Sequence, residues 1–533
     1  MRQITLVHFY GSSSILTCLI LLPVIGSLML LLVPSDKMRL IRWSALMVLA
    51  GMLAVAVAGA CLFRWALPAP HDVFQLQQKL LWIPTLNMHY FVGVDNLSMP
   101  AVLLVALLAF ISGVASFGLI QESKTYYILL ILTAGALIGA IVSLDLLLLA
   151  AFLQIFTLSG YTAVSLLGGT RRHTAGLKFN LFGFAGTLAL LCGALVISHD
   201  TRGLPGLPHG TVDIVTLTTH PQLLRAAAGS HTAEIVFWLL LAGFAIRLPG
   251  VVLHLWLPEI SVESPAPIAM LIMAGSLVAG AYGLLRVVYP LFADQAFIYR
   301  PLICDIAVIG IVYGGLCALA QTDIKRLIAY WLLSQASYVL LGIALLNALS
   351  IQGAILQLFG LAIATPLLLW VAHAIEQRAH HTDLSRLGGL ATQLPDLFRF
   401  SIIGFFAAMG APGLSLFFGQ VLILFGGFTA ISGGVAGSPG IASWQHTGLL
   451  VLVIALAMAM VTAGYILWAM ERIFMGPSRP EFNHFVRLSF QERCVMLLPV
   501  LGIIALGIAP TIVVLTPMRP AIEQLLRALA GAN

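Results

Sequence analysis

An all-α, polytopic membrane fold of about fourteen crossings is what this sequence predicts, and three observations carry the prediction. Of 533 residues, 60% are hydrophobic and 9% charged, with a mean hydropathy of +1.04; a soluble domain carries about 25% charged residues. Apolar runs of roughly 20 residues, the length a bilayer demands, recur along the chain. Two of them are interrupted alike: Phe244–Glu259 contains Arg247, Pro249, Gly250, His254 and Pro258, and Phe405–Gln420 contains Pro412 and Gly413. Each reads as a broken membrane helix, because proline removes a backbone donor and clashes with the preceding turn. Lipid offers no hydrogen-bond partner, so such breaks belong where protein or a wet cavity surrounds them. Paired breaks point to a fold of inverted repeats and mark the functional region.

Taken in order, the apolar runs place spans near 14–34, 43–63, 96–119, 126–143, 146–167, 175–198, 233–257, 265–289, 298–320, 327–347, 351–374, 400–428, 447–470 and 494–516. The first follows ten residues without a small-residue cleavage site, so it reads as retained. Fourteen spans put both termini on one side. With the termini outside, inside loops hold Lys37, Arg39, Arg42, Lys124, Arg171, Arg172, Lys325, Arg326, Arg378, Arg386, Arg399, Arg472, Arg479, Arg487 and Arg493. Outside segments hold Arg2, Arg64, Lys79, Arg202, Arg225, Arg300, Arg519 and Arg527, a bias of fifteen to eight that follows the positive-inside rule. Lys178, Arg247 and Arg286 are left within or at the edge of spans. Loops 64–95, 199–232 and 375–398 show no catalytic or nucleotide-binding pattern and read as caps and connectors.

The net charge of +6 is spread singly or in pairs, which argues against a nucleic-acid partner. Six cysteines, mostly in apolar runs and with no CxxC pair, read as small core residues and leave no metal or iron–sulfur site. Twelve of fourteen histidines fall in loops or at span ends. His373, near a helix end, reads as structural; His254, inside the first break, is a candidate for a polar path.

The run from His254 to Pro267, His-Leu-Trp-Leu-Pro-Glu-Ile-Ser-Val-Glu-Ser-Pro-Ala-Pro, resembles the HxWLPDA…P(T/A)P segment of antiporter-like subunits. That family is shared by respiratory complex I, membrane-bound hydrogenases and multisubunit cation/proton antiporters. Val94-Asp-Asn-Leu-Ser98, Ser143-Leu-Asp-Leu146, Leu177-Lys-Phe179, the stretch from Gln321 to Tyr330, and Gly410-Ala-Pro-Gly413 with Gly419 match it further. Ala281-Tyr-Gly-Leu-Leu-Arg286 and Ile423-Leu-Phe-Gly426 are most similar to the M subunit of NADH–quinone oxidoreductases. The resemblance implies N-terminal helices and an outside loop over 1–123, inverted five-helix repeats over 124–290 and 298–472, and a C-terminal helix and tail over 473–533. It also implies a bacterial-type cytoplasmic membrane, with other antiporter-like and small membrane subunits as neighbours. NADH, flavin, iron–sulfur clusters and quinone are expected in those neighbours; no cofactor is expected in this chain.

In that family protons cross along titratable side chains at mid-membrane, and the resemblance assigns six of those positions to other chemistry here. The paired glutamate is Gln154, the broken-helix lysine Arg247, the bridging lysine Val278, two histidines Gln335 and Leu361, and the exit glutamate Gln420. Lys178 and His254 are retained. Glutamine does not ionise, and arginine does not release its proton in proteins, so the substitutions predict a weakly pumping or non-pumping subunit. Arg247 is expected to be held by Gln154 and by carbonyls of the broken helix. A cation/proton antiporter, a membrane-bound hydrogenase or an inorganic-carbon uptake complex is the alternative setting.

Overall fold

A computed structural model describes residues 14–65, 74–84, 87–118, 123–204, 207, 209–220, 229–432, 441–477 and 485–530. The N-terminal segment, the last three residues, Arg2, Arg225 and Arg479 lie outside the described residues; the placement of the termini rests on sequence alone. Thirteen helices among the described residues are long and apolar enough to cross a membrane. The remaining crossing is the first interrupted run, split into Ser230–Ala245 and Leu257–Glu263. The span expected at 400–428 is likewise two helices, Pro395–Ala408 and Ser415–Ser432.

Each break is stabilised in the same way. Proline and an arginine or glycine replace the regular ladder, and the carbonyl left at the end of the first segment takes an indole N–H. Trp256 Nε1 donates to Ile246 O at 3.2 Å, and Trp331 Nε1 donates to Ala408 O at 3.0 Å. A glycine from another helix then lets backbone approach the unwound chain. A Cβ on Gly280 would lie 2.3 Å from Leu248 N, and one on Gly507 would lie 2.1 Å from Gly413 O. Gly410 and Gly413 themselves sit at φ 76° and 85°, where a side chain would be strained.

A second arrangement recurs five spans apart, hence at opposite faces. Asp145 caps Leu146–Leu167, and the chain beside it pairs through Leu146 N to Val212 O at 3.0 Å and Ile214 N to Leu144 O at 2.9 Å. Asp323 caps Ile324–Ala344, and there Ile324 N meets Thr382 O at 3.0 Å and Leu384 N meets Thr322 O at 2.7 Å. Each capping aspartate thus faces a partner aspartate, Asp213 or Asp383. Burial raises the Asp145 carboxyl above its ordinary range, while hydrogen bonds from Ser385 hold half-buried Asp383 below it. Between the halves, Ala266–Leu291 and Ala348–Ala379 are buried along their apolar length, whereas Ser14–Leu32, Met38–Leu62 and Gly448–Phe474 face outward over most of theirs.

One element departs from the all-helical expectation and a second from the expected last span. The loop 64–95 holds an antiparallel hairpin, β1 (Gln75–Ile83) and β2 (Met88–Val94), with Lys79 opposite Phe91 and Leu80 opposite Tyr90. The aromatic and β-branched run Tyr90-Phe91-Val92 was its signal, since such residues favour strands. The last span is Phe490–Ile508, ending before Pro510, and the tail is a separate helix, Thr516–Ala530. That tail helix buries Met518, Ile522, Leu525 and Leu529, spaced as one helical face, and carries an Arg519–Glu523 pair at 2.8 Å elsewhere.

Candidate functional site

Three polar centres lie along the membrane interior. In the first half, Lys178 Nζ meets Glu259 Oε1 at 2.7 Å, with 40% and 27% of the side chains exposed. The lysine comes from Arg172–Asp200 and the glutamate from the short helix beyond the break, so the break itself places the carboxylate. His254 lies deeper in the break, buried, with its ring 5.1 Å from Tyr313 and 6.2 Å from Tyr330. Its ring nitrogens meet no side-chain partner among the described residues, and the polar group beside the ring is the backbone of Gly250.

Arg247 is 2% exposed, but Gln154 does not hold it. Its Nη2 donates to Leu153 O at 3.1 Å, Thr157 Oγ1 at 3.0 Å and Thr187 Oγ1 at 3.2 Å, with the Phe156 ring 5.7 Å away. The expected carbonyls of the broken helix are replaced by one carbonyl of Leu146–Leu167 and two hydroxyls. A guanidinium reaches farther than a lysine ammonium and satisfies several acceptors in one plane, so it passes Gln154 and settles a turn away. Gln154 Oε1 is left buried without a partner.

The middle of the molecule is apolar where the resemblance placed bridging groups, for Val278 and Leu361 are both fully buried. In the second half, Gln335 and Gln420 come together with a residue the sequence reading missed, Gln357. Gln335 Oε1 accepts from Gln357 Nε2 and from Gln420 Nε2, each at 2.8 Å. Gln357 lies four residues before Leu361, one helical turn, which was the available signal. The structure thus brings Gln335 and Gln420 into one amide cluster and leaves Gln154, Val278 and Leu361 apart from any charged group that an ion pair or hydrogen bond would show.

A third centre joins the halves. Lys325, counted above as a loop residue, is 6% exposed and pairs with Glu376 at 2.6 Å. Ser261 Oγ donates to Lys325 O at 2.7 Å, tying the short helix of the first break to the second half. His373 stands 3.8 Å from Glu376 and 2.9 Å from Gln377 Nε2, in keeping with a structural histidine. Arg286, another residue left at a span edge, pairs with Asp95, whose other oxygen accepts from Leu97 N at 3.1 Å and Ser98 N at 2.9 Å. Both lay in quoted motifs, yet nothing in either motif pointed to the other.

A broken helix in each half, Lys178 beside a carboxylate and buried polar clusters within the bundle are features of proteins that move ions. The family described as NADH:quinone oxidoreductase/Mrp antiporter, transmembrane, matches residues 143–436. The chain belongs to that family. It is an antiporter-like subunit of complex I type. It is 29% identical over 498 residues to NAD(P)H-quinone oxidoreductase chain 4 1 of Synechococcus sp. strain JA-3-3Ab, covering 93% of this chain and 90% of the relative. It is 31% identical over 523 residues to NADH-ubiquinone oxidoreductase chain 4 of Arabidopsis thaliana, covering 95% and 96%. A chain of respiratory complex I from Thermus thermophilus superposes with TM-score 0.79 at 25% identity, covering 96% of this chain and 99% of that one. A chain of the Mrp complex from Dietzia sp. DQ12-45-1b shares the fold, with TM-score 0.78 at 17% identity over 98% and 100%.

The setting of Arg247 in this antiporter-like subunit makes a specific variant informative. Thr157 and Thr187 also donate to the carbonyls of Leu153 and Gly183, each at 2.9 Å. Removing the guanidinium therefore strands neither hydroxyl, and exchanging a buried ion for an apolar side chain of similar volume is often neutral. Arg247→Met is expected to leave yield and turnover of the native assembly within about twofold of the parent, a change under 0.5 kcal/mol. Intact assembly with turnover abolished would give Arg247 a role beyond packing.

Proposed function

We propose that this chain is a membrane-arm subunit of a complex I-type NADH–quinone oxidoreductase in a bacterial-type cytoplasmic membrane, translocating few or no protons itself. Its repeats, 124–290 and 298–472, are read as inverted copies, a reading supported by the matched breaks and by the aspartate pairings at opposite faces. NADH, flavin, clusters and quinone belong to partner subunits, and other antiporter-like and small membrane subunits flank it.

The observation that carries the reading is the amide cluster of Gln335, Gln357 and Gln420. A relay needs a site that takes and releases a proton near working pH. Three amides, two of them donating to the carbonyl oxygen of the third, keep polarity without such a site, and fully buried Val278 and Leu361 interrupt the route between halves. Lys178 with Glu259 remains as one ion pair in the first half, and the amide cluster offers it no ionisable continuation in the second. A setting in a cation/proton antiporter, hydrogenase or inorganic-carbon uptake complex shares this fold, and is favoured by no observation that the first reading leaves unexplained.

The test is the proton-to-electron ratio of the native assembly in sealed vesicles. The expected ratio falls short, by about one antiporter-like subunit's share, of that of an assembly with the same number of such subunits and an intact relay. A full ratio would overturn the proposal and direct attention to Lys178, Glu259 and His254.

A further inference from the structure

Unwound backbone at membrane depth finds no hydrogen-bond partner in lipid and belongs where protein or water meets it. The two breaks meet that condition unequally. Against the second lies the last span, Phe490–Ile508, whose Gly507 approaches the Gly413 carbonyl so closely that a Cβ would lie 2.1 Å from it. The same span packs along Ala348–Ala379, the third helix of the second half, which is buried along its apolar length. The third helix of the first half is Arg172–Asp200, and only 44% of its most apolar stretch is buried.

The first break lies between that helix and Ala293–Leu319. On one side the Phe179 ring is 5.3 Å from Trp256 and Lys178 reaches Glu259; on the other a Cβ on Gly310, near the middle of Ala293–Leu319, would lie 3.4 Å from Val251 Cγ2. The outer side is bare. Val252, at φ 70°, is 67% exposed, and Leu255, Leu181 one turn from Lys178, and Ile309 one turn from Tyr313 are exposed with it. Among the described residues no amide from Val251 to Trp256 makes a well-formed backbone hydrogen bond, and the part-exposed Lys178–Glu259 pair opens beside them. Hydrocarbon suits neither free amides nor an ion pair, and the second half shows what does cover a break, a membrane-spanning helix with a glycine against the unwound chain. We propose that a transmembrane helix of a partner subunit packs between Arg172–Asp200 and Ala293–Leu319, in the place that Phe490–Ile508 takes in the second half, with a glycine, alanine or serine at the level of Val252 so that its backbone approaches closely. The position of that helix rests on reading the two halves as repeats; the need for it rests on the exposure of the break.

A diazirine-bearing amino acid placed singly at Val252, Leu181 or Ile309 tests this in the native assembly, illuminated in its own membrane and then purified. Mass spectrometry of the adducts reads what each position touches. All three are expected to join one and the same membrane-spanning segment of one partner subunit, with a small residue of that segment beside the Val252 adduct. Leu181 and Ile309 lie on regular helices, so they report the same segment even where the variant at Val252 does not assemble. Adducts to phospholipid alone at these positions would overturn the proposal and leave the repeat reading untouched. A partner segment joined at Val252 but at neither Leu181 nor Ile309 would overturn the placement, and with it the correspondence between the halves.

Discussion

Replacing Arg286 with methionine is expected to destabilise the folded chain by about 3–5 kcal/mol, the usual cost of stranding one partner of a buried ion pair. The side chains of Arg286 and Asp95 are 7% and 1% exposed, so water cannot take over the role of the missing partner. One Asp95 oxygen would keep its bonds from Leu97 N and Ser98 N, while the other would face the rings of Phe74 and Tyr282 that the guanidinium now lies over. The assembly should therefore melt at lower temperature and accumulate poorly in the membrane. Adding Asp95→Asn removes the stranded charge and keeps the capping oxygen, so the double variant should recover most of the loss. Equal losses in single and double variants would show that the pair is not coupled as its geometry requires.

The second large effect concerns reversal of the substitutions along the interior path, and it divides by position. Val278→Lys should lower the melting temperature of the assembly steeply, because an ammonium at a fully buried site on a helix buried along its apolar length loses its hydration; the penalty is several kcal/mol per ion. Gln335→His should be tolerated, since Gln357 and Gln420 already present amides at 2.8 Å and an imidazole hydrogen-bonds to the same groups. Thermal melting of the solubilised assembly carrying each change separates the two. Comparable melting of the Val278→Lys and parent assemblies would mean that the midline is hydrated, and the route between the halves would then be open. With every position reversed together, Glu at 154 and 420, Lys at 247 and 278, and His at 335 and 361, the proton-to-electron ratio is the measure of whether a relay has been rebuilt.

Which features could be read before the structure follows from the range of the physics behind them. Span lengths, the bias of basic residues and the breaks at Pro249 and at Pro412–Gly413 were legible because a bilayer and a missing backbone donor act on a local segment. The hairpin over Gln75–Val94 reads in sequence as a connector: its signal is one short run, Tyr90-Phe91-Val92, and two strands gain stability only from what they pack against. The tail helix was missed for a related reason, since its apolar face is too narrow to read as a span.

Side-chain partners were decided elsewhere. The family stands in the sequence itself, as do Gln154, Arg247, Val278, Gln335, Leu361 and Gln420, which the resemblance sets apart. Where Arg247 would place its charge does not, because a long guanidinium chooses among acceptors on two different helices, and the nearest by motif, Gln154, lost to Leu153, Thr157 and Thr187. The same holds for Lys178 with Glu259, Lys325 with Glu376, Arg286 with Asp95 and the meeting of Gln335, Gln357 and Gln420. The sequence by itself determined the membrane class, the crossings, the two breaks and which groups could carry a proton. Only the tertiary structure decided which of those groups touch, because ion pairs and hydrogen bonds act over a few ångströms, and the residues that make them lie 22 to 191 positions apart along the chain.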